Sequence, residues 1–417
     1  MEKKRLFLLM FTLLQAFFAS TTCQPYLGVN YGEMADNLPP PQETANLLAS
    51  TNFYKLRLYN ANHSIIQSMA GTGISLVLGV SNGDIPSLAT NPLAATNWVS
   101  TNLLPFYPAT SFYSVSVGNE ALNSSDPSLS SLILPAMRNL RAAISVTSAA
   151  DVKVSTVHSM VILSQSEPPS SGAFHSDLIQ FLAPILDFLS QTGSPFMINP
   201  YPYFAYTSDP QAETLAFCLF QPNPGRFDPG SGITYSNMFD AQVDAVRAAL
   251  KTAGYPGVDV VVAETGWPYR GDEGEVGASL ENARAYNGNL VAHLKGMVQP
   301  VETYIFALYD EDLKPGPLSE RSFGLFHPNL TPIYDAGLLK STQPGSLPAP
   351  SSTNPGGEAL KPGNCSSEMA GELVCGEPAV QNLPNAAVGR RELLTRPHPV
   401  WQWLLRWLTW LTLVLAY

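Results

Sequence analysis

Charge is what this chain has least of. Asp, Glu, Lys and Arg make up only 13% of the 417 residues, and the acidic ones outnumber the basic ones 33 to 22, for a formal net charge of −11. After Lys3-Lys4-Arg5 no run of three basic residues occurs. That excludes a nucleic-acid partner, because neutralising phosphates requires clustered Lys and Arg. Cysteine is equally scarce, with four in all. Cys218 stands alone in the body of the chain, which excludes a disulfide-stapled scaffold there and reads as a small buried hydrophobe rather than a catalytic thiol. Cys365 and Cys375 lie ten residues apart near the end, a spacing that suits a local disulfide. The six histidines show no H-x-x-x-H or similar ligand spacing, so neither a metal nor any other cofactor is expected.

Long apolar runs are confined to the two ends. Lys3 to Arg5 followed by Leu6–Ala19 and the small residues Ser20, Thr21 and Thr22 has the layout of a secretory signal, assigned to 1–23. Four N-x-S/T triplets, at Asn62, Asn123, Asn329 and Asn364, agree with export and are candidate glycosylation acceptors. The main domain is assigned to 24–341. A Pro-, Gly- and Ser-rich linker follows over 342–363, then a polar tail over 364–387. The last segment, 388–417, ends in an apolar stretch after small residues at Asn385-Ala386-Ala387 and a polar spacer. It resembles a GPI-attachment signal that would place a lipid near Asn385 and tether the protein to a membrane. Arg406 interrupts the apolar stretch, so an interfacial segment or a tail without function stays open beside that reading. A monomer is expected.

The body, with 45% hydrophobic residues overall, supports one large core. Eight short β-rich runs recur along it, at 26–30, 55–59, 74–80, 112–119, 152–157, 196–199, 258–263 and 303–308. Several are almost continuously apolar, as strands buried on both faces must be. Helix-like stretches lie between them, such as Ser236–Ala253, in which Met238, Phe239, Val243, Val246 and Leu250 recur at spacings of three and four, and Leu280–Met297. Eight strand–helix units predict an α/β fold, the TIM (β/α)8 barrel. A doubly wound open sheet is disfavoured because no Gly-rich phosphate turn follows the first strand.

Two glutamates stand at strand ends. Glu120 closes Ser116-Val-Gly-Asn-Glu120 after the fourth run, and Glu264 closes Val261-Val-Ala-Glu264 after the seventh. In such a barrel the C-terminal ends of the strands face the active-site mouth. Carboxylates there are costly to bury unless they are paired or used. Two of them on different strands suit glycoside cleavage, in which one carboxylic acid protonates the leaving oxygen and the other acts as base or nucleophile.

Val117-Gly-Asn-Glu120 and Glu264-Thr-Gly-Trp-Pro268 resemble the two signature blocks of glycoside hydrolase family 17, the plant β-1,3-glucanases. Gly28-Val-Asn-Tyr-Gly32, Lys55-Leu-Arg-Leu-Tyr59, Asn199-Pro-Tyr-Pro-Tyr203, Phe306–Gly316 and Glu320–Phe326 agree with that family in the same order, so the resemblance covers about residues 25 to 340. It implies endo-hydrolysis of β-1,3-glucan, such as callose or fungal wall glucan, with retention of configuration. Glu120 would then be the general acid/base and Glu264 the nucleophile. It further implies supporting roles for Glu311, Lys314 and Glu320, a hydrogen bond from Asn119 to the sugar 2-OH, and substrate contacts at Tyr59, Tyr201 and Trp267, with a structural role as the competing reading for the two tyrosines. Asp310 departs from the family, which often has Asn there. The tail departs too, since two cysteines are too few for the cysteine-rich carbohydrate-binding module that many relatives carry. A glucan-binding protein without turnover and a glucanosyltransferase are the competing readings. The presence of both glutamates argues against the first.

Overall fold

The structure is a computed structural model that describes residues 26–123 and 126–340. The signal segment, linker, polar tail and GPI-like segment, with Asn364, Cys365 and Cys375, lie outside the described residues.

Eight strands form a closed barrel: β1 (Leu27–Tyr31), β2 (Lys55–Leu58), β3 (Ser75–Val80), β4 (Ser111–Asn119), β5 (Lys153–Ser159), β6 (Phe196–Asn199), β7 (Val260–Thr265) and β8 (Thr303–Ile305). Each pairs in parallel with the next, and β8 closes on β1 through Leu27↔Thr303 and Val29↔Ile305. The predicted TIM barrel is therefore the observed one, and each predicted run contributes one strand.

The boundaries have physical causes. The last strand is shorter than its apolar run because the chain leaves the ladder after Ile305. Ala307 N–H bonds Phe323 O at 3.1 Å and Leu308 N–H bonds Asn30 O at 2.8 Å, so this segment is held by two other parts of the barrel rim. Two small antiparallel hairpins, Leu163–Gln165 with Ala173–Phe174 and Arg226–Asp228 with Ile233–Tyr235, were not visible in the sequence; such short strands carry too little alternation to be recognised.

The helices pack outside the barrel. The predicted helix near 236–253 spans Met238–Thr252 and starts where the Asn237 side chain accepts a hydrogen bond from Asp240 N–H at 2.8 Å. It buries Phe239, Val243, Val246 and Leu250, each contributing about 1.5–3 kcal/mol. The second predicted helix spans Leu280–Gly296, capped by Ser279. Cys218 is a free buried thiol whose pKa burial pushes up to about 12, in keeping with its reading as a core hydrophobe.

Candidate active site

The site is built at the C-terminal ends of the strands. The chain turns sharply at the end of β4: Gly118 has φ +75°, and a Cβ on it would come within 2.7 Å of Asn82 Oδ1. Asn82 explains the crowding. Its Oδ1 accepts Asn119 N–H at 2.9 Å, and its Nδ2 donates to Asn119 O at 3.0 Å, which locks that peptide from both sides. Glu120 follows with φ +52°, a left-handed conformation that costs a non-glycine residue about 1–3 kcal/mol. Its N–H is tied to Val157 O at 2.9 Å, so neighbouring structure imposes the strain.

Glu264 lies within β7, 6% exposed, and receives three charged or phenolic donors. Arg57 Nη1 donates to its Oε1 at 2.7 Å, Tyr59 OH to the same oxygen at 2.8 Å, and Tyr201 OH to Oε2 at 2.8 Å. The pKa values of both phenols are raised well above the ordinary range, first by burial and then by the Glu264 charge, so both stay protonated as donors. Arg57, 1% exposed, also donates to Ala263 O at 3.2 Å and through Nη2 to Asn119 Oδ1 at 2.8 Å. One guanidinium thus braces both the Glu264 carboxylate and the residue beside Glu120.

Glu120 meets a different environment. Asn199 Nδ2 donates to its Oε1 at 2.7 Å. Burial, followed by the Glu264 charge, raises its pKa. Asn199, Arg57 and Lys314 oppose that rise without cancelling it. The structure therefore sets the two carboxyl groups in opposed surroundings, one surrounded by donors and one favoured in its protonated form.

A cleft of about 350 Å³ opens here, lined by Glu33, Met34, Tyr59, Asn60, Asn119, Glu264, Phe306, Glu311 and Lys314. Glu311 is 7% exposed; its Oε1 accepts Met34 N–H at 3.1 Å, and burial raises its pKa. Its carboxylate fills the space over Gly32, where a Cβ would fall 2.1 Å from its Cδ. Lys314 Nζ sits 4.7 Å from the centre of the Phe306 ring and 2.9 Å from Glu320 Oε2.

Most of the residues singled out in the sequence are thus brought together: Asn119, Glu120, Glu264, Tyr59, Tyr201, Glu311, Lys314 and Glu320. The two tyrosines hold Glu264 by their hydroxyls, as the competing structural reading allows, and Tyr59 also lines the cleft. Trp267 needs correction as a substrate contact. It is fully buried, packed against Tyr203, Tyr206 and Tyr286, and its Nε1 donates to Gly277 O at 2.8 Å. It anchors the loop after β7 from behind and offers no surface to a ligand. Asp310, where the family often has Asn, is bonded by Tyr269 OH at 2.5 Å and by Gly324 N–H at 2.8 Å, and so faces the protein rather than the cleft.

Arg57 and Asn199 were within the quoted blocks but unassigned. A signal existed for Arg57: a charged residue in a strand buried on both faces needs a partner in the barrel. Of the glycosylation candidates, Asn123 and Asn329 are exposed. Asn62 is half-buried and engaged at both ends: its Oδ1 caps the helix His63–Ser68, and its Nδ2 donates to Glu33 Oε1 at 2.6 Å.

A parallel barrel carrying an acid after β4 and a donor-held carboxylate on β7 defines a class, the barrel glycosidases. Comparison with known proteins refines this. The model of glycosyl hydrolases family 17 matches residues 27–338, and the chain belongs to that family. It is 55% identical over 380 residues to glucan endo-1,3-beta-glucosidase 7 of Arabidopsis thaliana, covering 89% of this chain and 75% of the relative. It is 48% identical to the glucan endo-1,3-beta-D-glucosidase of Olea europaea, covering 90% of this chain and 85% of the relative. Among solved structures, CJP38, a beta-1,3-glucanase and pollen allergen of Cryptomeria japonica, superposes with a TM-score of 0.71 at 38% identity, over 74% of this chain and 98% of that one.

Proposed function

We propose that this glycosidase is a retaining endo-β-1,3-glucanase in which Glu264 is the nucleophile and Glu120 the general acid/base. The observation that carries the assignment is the contrast between the two carboxyl groups: Glu264 is surrounded by Arg57, Tyr59 and Tyr201, whereas the pKa of Glu120 is raised by burial and by the Glu264 charge. The substrate class rests on the named activities of the relatives.

In the first step Glu264 attacks the anomeric carbon while Glu120 gives its proton to the departing glycosidic oxygen, leaving a covalent glycosyl-enzyme. As the bond to Glu264 forms, its negative charge disperses. Glu120, now ionised, then takes a proton from water as that water attacks the same carbon, and Glu264 is released. Two inversions leave the configuration retained. Asn119 has its Oδ1 held by Arg57, so its amide N–H groups remain to meet the sugar 2-OH. Lys314, paired with Glu320, adds positive charge that opposes the rise in the pKa of Glu120. The chain ends suggest export and attachment to the outer face of the plasma membrane near Asn385–Ala387. Release from intact cells by a phosphatidylinositol-specific phospholipase tests that part.

The catalytic reading is tested with purified protein on laminarin, cellulose and mixed-linkage glucan, following the anomeric form of the first product by NMR. Short β-configured oligosaccharides from laminarin are expected. An α-configured first product overturns retention, and longer transfer products without net hydrolysis identify a glucanosyltransferase.

A further inference from the structure

The loop after β8 carries Lys314 and Glu320 into the cleft, yet little of it is regular structure beyond the short 3₁₀ turn Leu318–Arg321. Its first half is held by the loop after β1, where Leu313 N–H bonds Met34 O at 3.0 Å, and the half that bears Glu320 by the neighbouring loop after β7. Glu275 accepts hydrogen bonds from Ser319 N–H at 3.1 Å through Oε2 and from the Ser319 hydroxyl through Oε1. The same Oε2 accepts Asp272 N–H at 2.7 Å, and Asp272 Oδ2 accepts Leu318 N–H at 2.9 Å. Two carboxylates therefore hold the start of the turn whose third residue is Glu320. Arg321 completes the brace from within, donating to Lys314 O at 3.0 Å and Gly316 O at 2.7 Å. The β7 loop is itself fixed, since Trp267 and Asn282 both donate to Gly277 O.

We propose that Glu275 and Asp272 are positioning residues: they clamp the loop after β8 so that the Lys314–Glu320 pair stands at a fixed place in the cleft. The inference rests on the reading of Glu120 as the acid, and assigns to the clamp the job of keeping Lys314 within range of it. Burial alone would raise the Glu275 pKa, but its bonds to Ser319 and to the Asp272 N–H lower it below the ordinary carboxylate value, so Glu275 stays ionised through the neutral range. The groups facing Glu120 are Arg57 from β2, Asn199 from β6, Tyr201 just after β6, Glu264 from β7 and Lys314 from the clamped loop; Lys314 in turn faces Glu320, Glu311 and Glu264, and Glu275 faces Arg321 and Tyr203. Of these only the Lys314–Glu320 pair depends on the clamp. Releasing it weakens the cation's hold on Glu120 and raises the pH at which the acid is lost.

The test compares Glu275→Ala, Asp272→Ala, Glu275→Gln and Lys314→Met in the full chain on laminarin across pH. Glu275→Ala is expected to lower kcat by roughly tenfold, to move the alkaline midpoint of kcat/KM upward, and to leave the melting temperature within a few degrees. Asp272→Ala should move the midpoint the same way by less, and Glu275→Gln, which keeps one acceptor oxygen, should recover most of the loss. In a Lys314→Met background, Glu275→Ala should shift the midpoint no further. An unchanged midpoint in Glu275→Ala, or an undiminished further shift in that background, overturns the clamp. Wild-type protein that is inactive on laminarin, or an active Glu120→Gln variant, defeats the underlying functional reading instead.

Discussion

Lys55 and Arg57 sit two residues apart on β2, both inside the barrel, and each is paired with a carboxylate. They belong to opposite ends. Toward the bottom, Lys55 bonds Glu302 just before β8, with its ammonium 3.8 Å from the centre of the Tyr113 ring. The Tyr304 hydroxyl donates to Glu302 at 2.8 Å. Toward the top, Arg57 bonds Glu264, and here two tyrosines donate to the carboxylate. The chemical ingredients are nearly the same, and the difference lies in the balance. The bottom cluster pairs one cation with one mostly buried carboxylate, and the only further carboxylate near it among the described residues, Asp259, is exposed to solvent. At the top, Arg57 and Lys314 face four carboxyl groups: Glu264, Glu120, Glu311 and Glu320. Among them burial raises the pKa of Glu120 and Glu311, and the Glu264 charge further displaces Glu120 toward its protonated form. An ion pair in balance stabilises; one set among surplus carboxyl groups leaves one of them favoured in its protonated form.

The comparison breaks most visibly at the glutamates. Glu264→Gln should reduce turnover on the order of 10⁴-fold while thermal melting shows an intact barrel. Glu120→Gln should fail equally on glucan yet still react once with an activated aryl glycoside, whose leaving group needs no proton. Azide should then speed release of that intermediate and give the β-glycosyl azide. Near-normal glucan hydrolysis by either variant defeats the assignment. A crystal structure should place the two carboxyl groups about 5–5.5 Å apart; a separation near 9 Å indicates inversion.

The next largest effects separate the two cations. Arg57→Met leaves Glu264 buried without its cation. It should destabilise the protein by about 3–5 kcal/mol and lower kcat/KM of the remaining folded enzyme by about 10²-fold. Lys55→Met should cost about 3 kcal/mol in denaturant titration but leave kcat/KM per folded molecule unchanged. Adding Glu302→Gln to that variant should recover part of the stability, since no unpaired charge then remains. A large change in kcat/KM on replacing Lys55 removes the distinction between the two ends.

The smallest effect is the pH dependence. Because the folded-state pKa of Glu120 is raised, its contribution to stability is full below the unfolded value of about 4.3 and is lost as pH rises through the folded value. Glu120→Gln should therefore melt higher than wild type at pH 7, by about 2 °C, with the gain vanishing near pH 4. Wild-type kcat/KM should fall on the alkaline side as Glu120 ionises. A variant that is less stable than wild type at pH 7 contradicts the desolvation and the Glu264 repulsion ascribed to the Glu120 carboxylate.

Strand order and barrel class were legible because buried parallel strands write themselves as short apolar runs, and eight of them could be counted. The two strand-end glutamates were legible for the same reason: their place on the rim follows from chain order alone. Arg57 was harder, since its partners Glu264 and Asn119 lie far away in sequence and meet it only after the barrel closes. Trp267 was misread because a signature residue can be kept for packing as readily as for contact, and exposure is decided by Tyr203, Tyr206 and Tyr286 around it.

The sequence by itself determined which strands exist, their succession, and which carboxyl groups stand at their ends, because those depend on local hydrophobicity and on position along the chain. Only the tertiary structure decided that Glu264 is held by an arginine and two tyrosines, that Glu120 is forced into a left-handed turn with a raised pKa, and that Glu275 braces the loop bearing Lys314. Each of these is a contact between segments remote in sequence, or follows from such contacts, and the charge state of a buried group depends on every neighbour that folding brings to it.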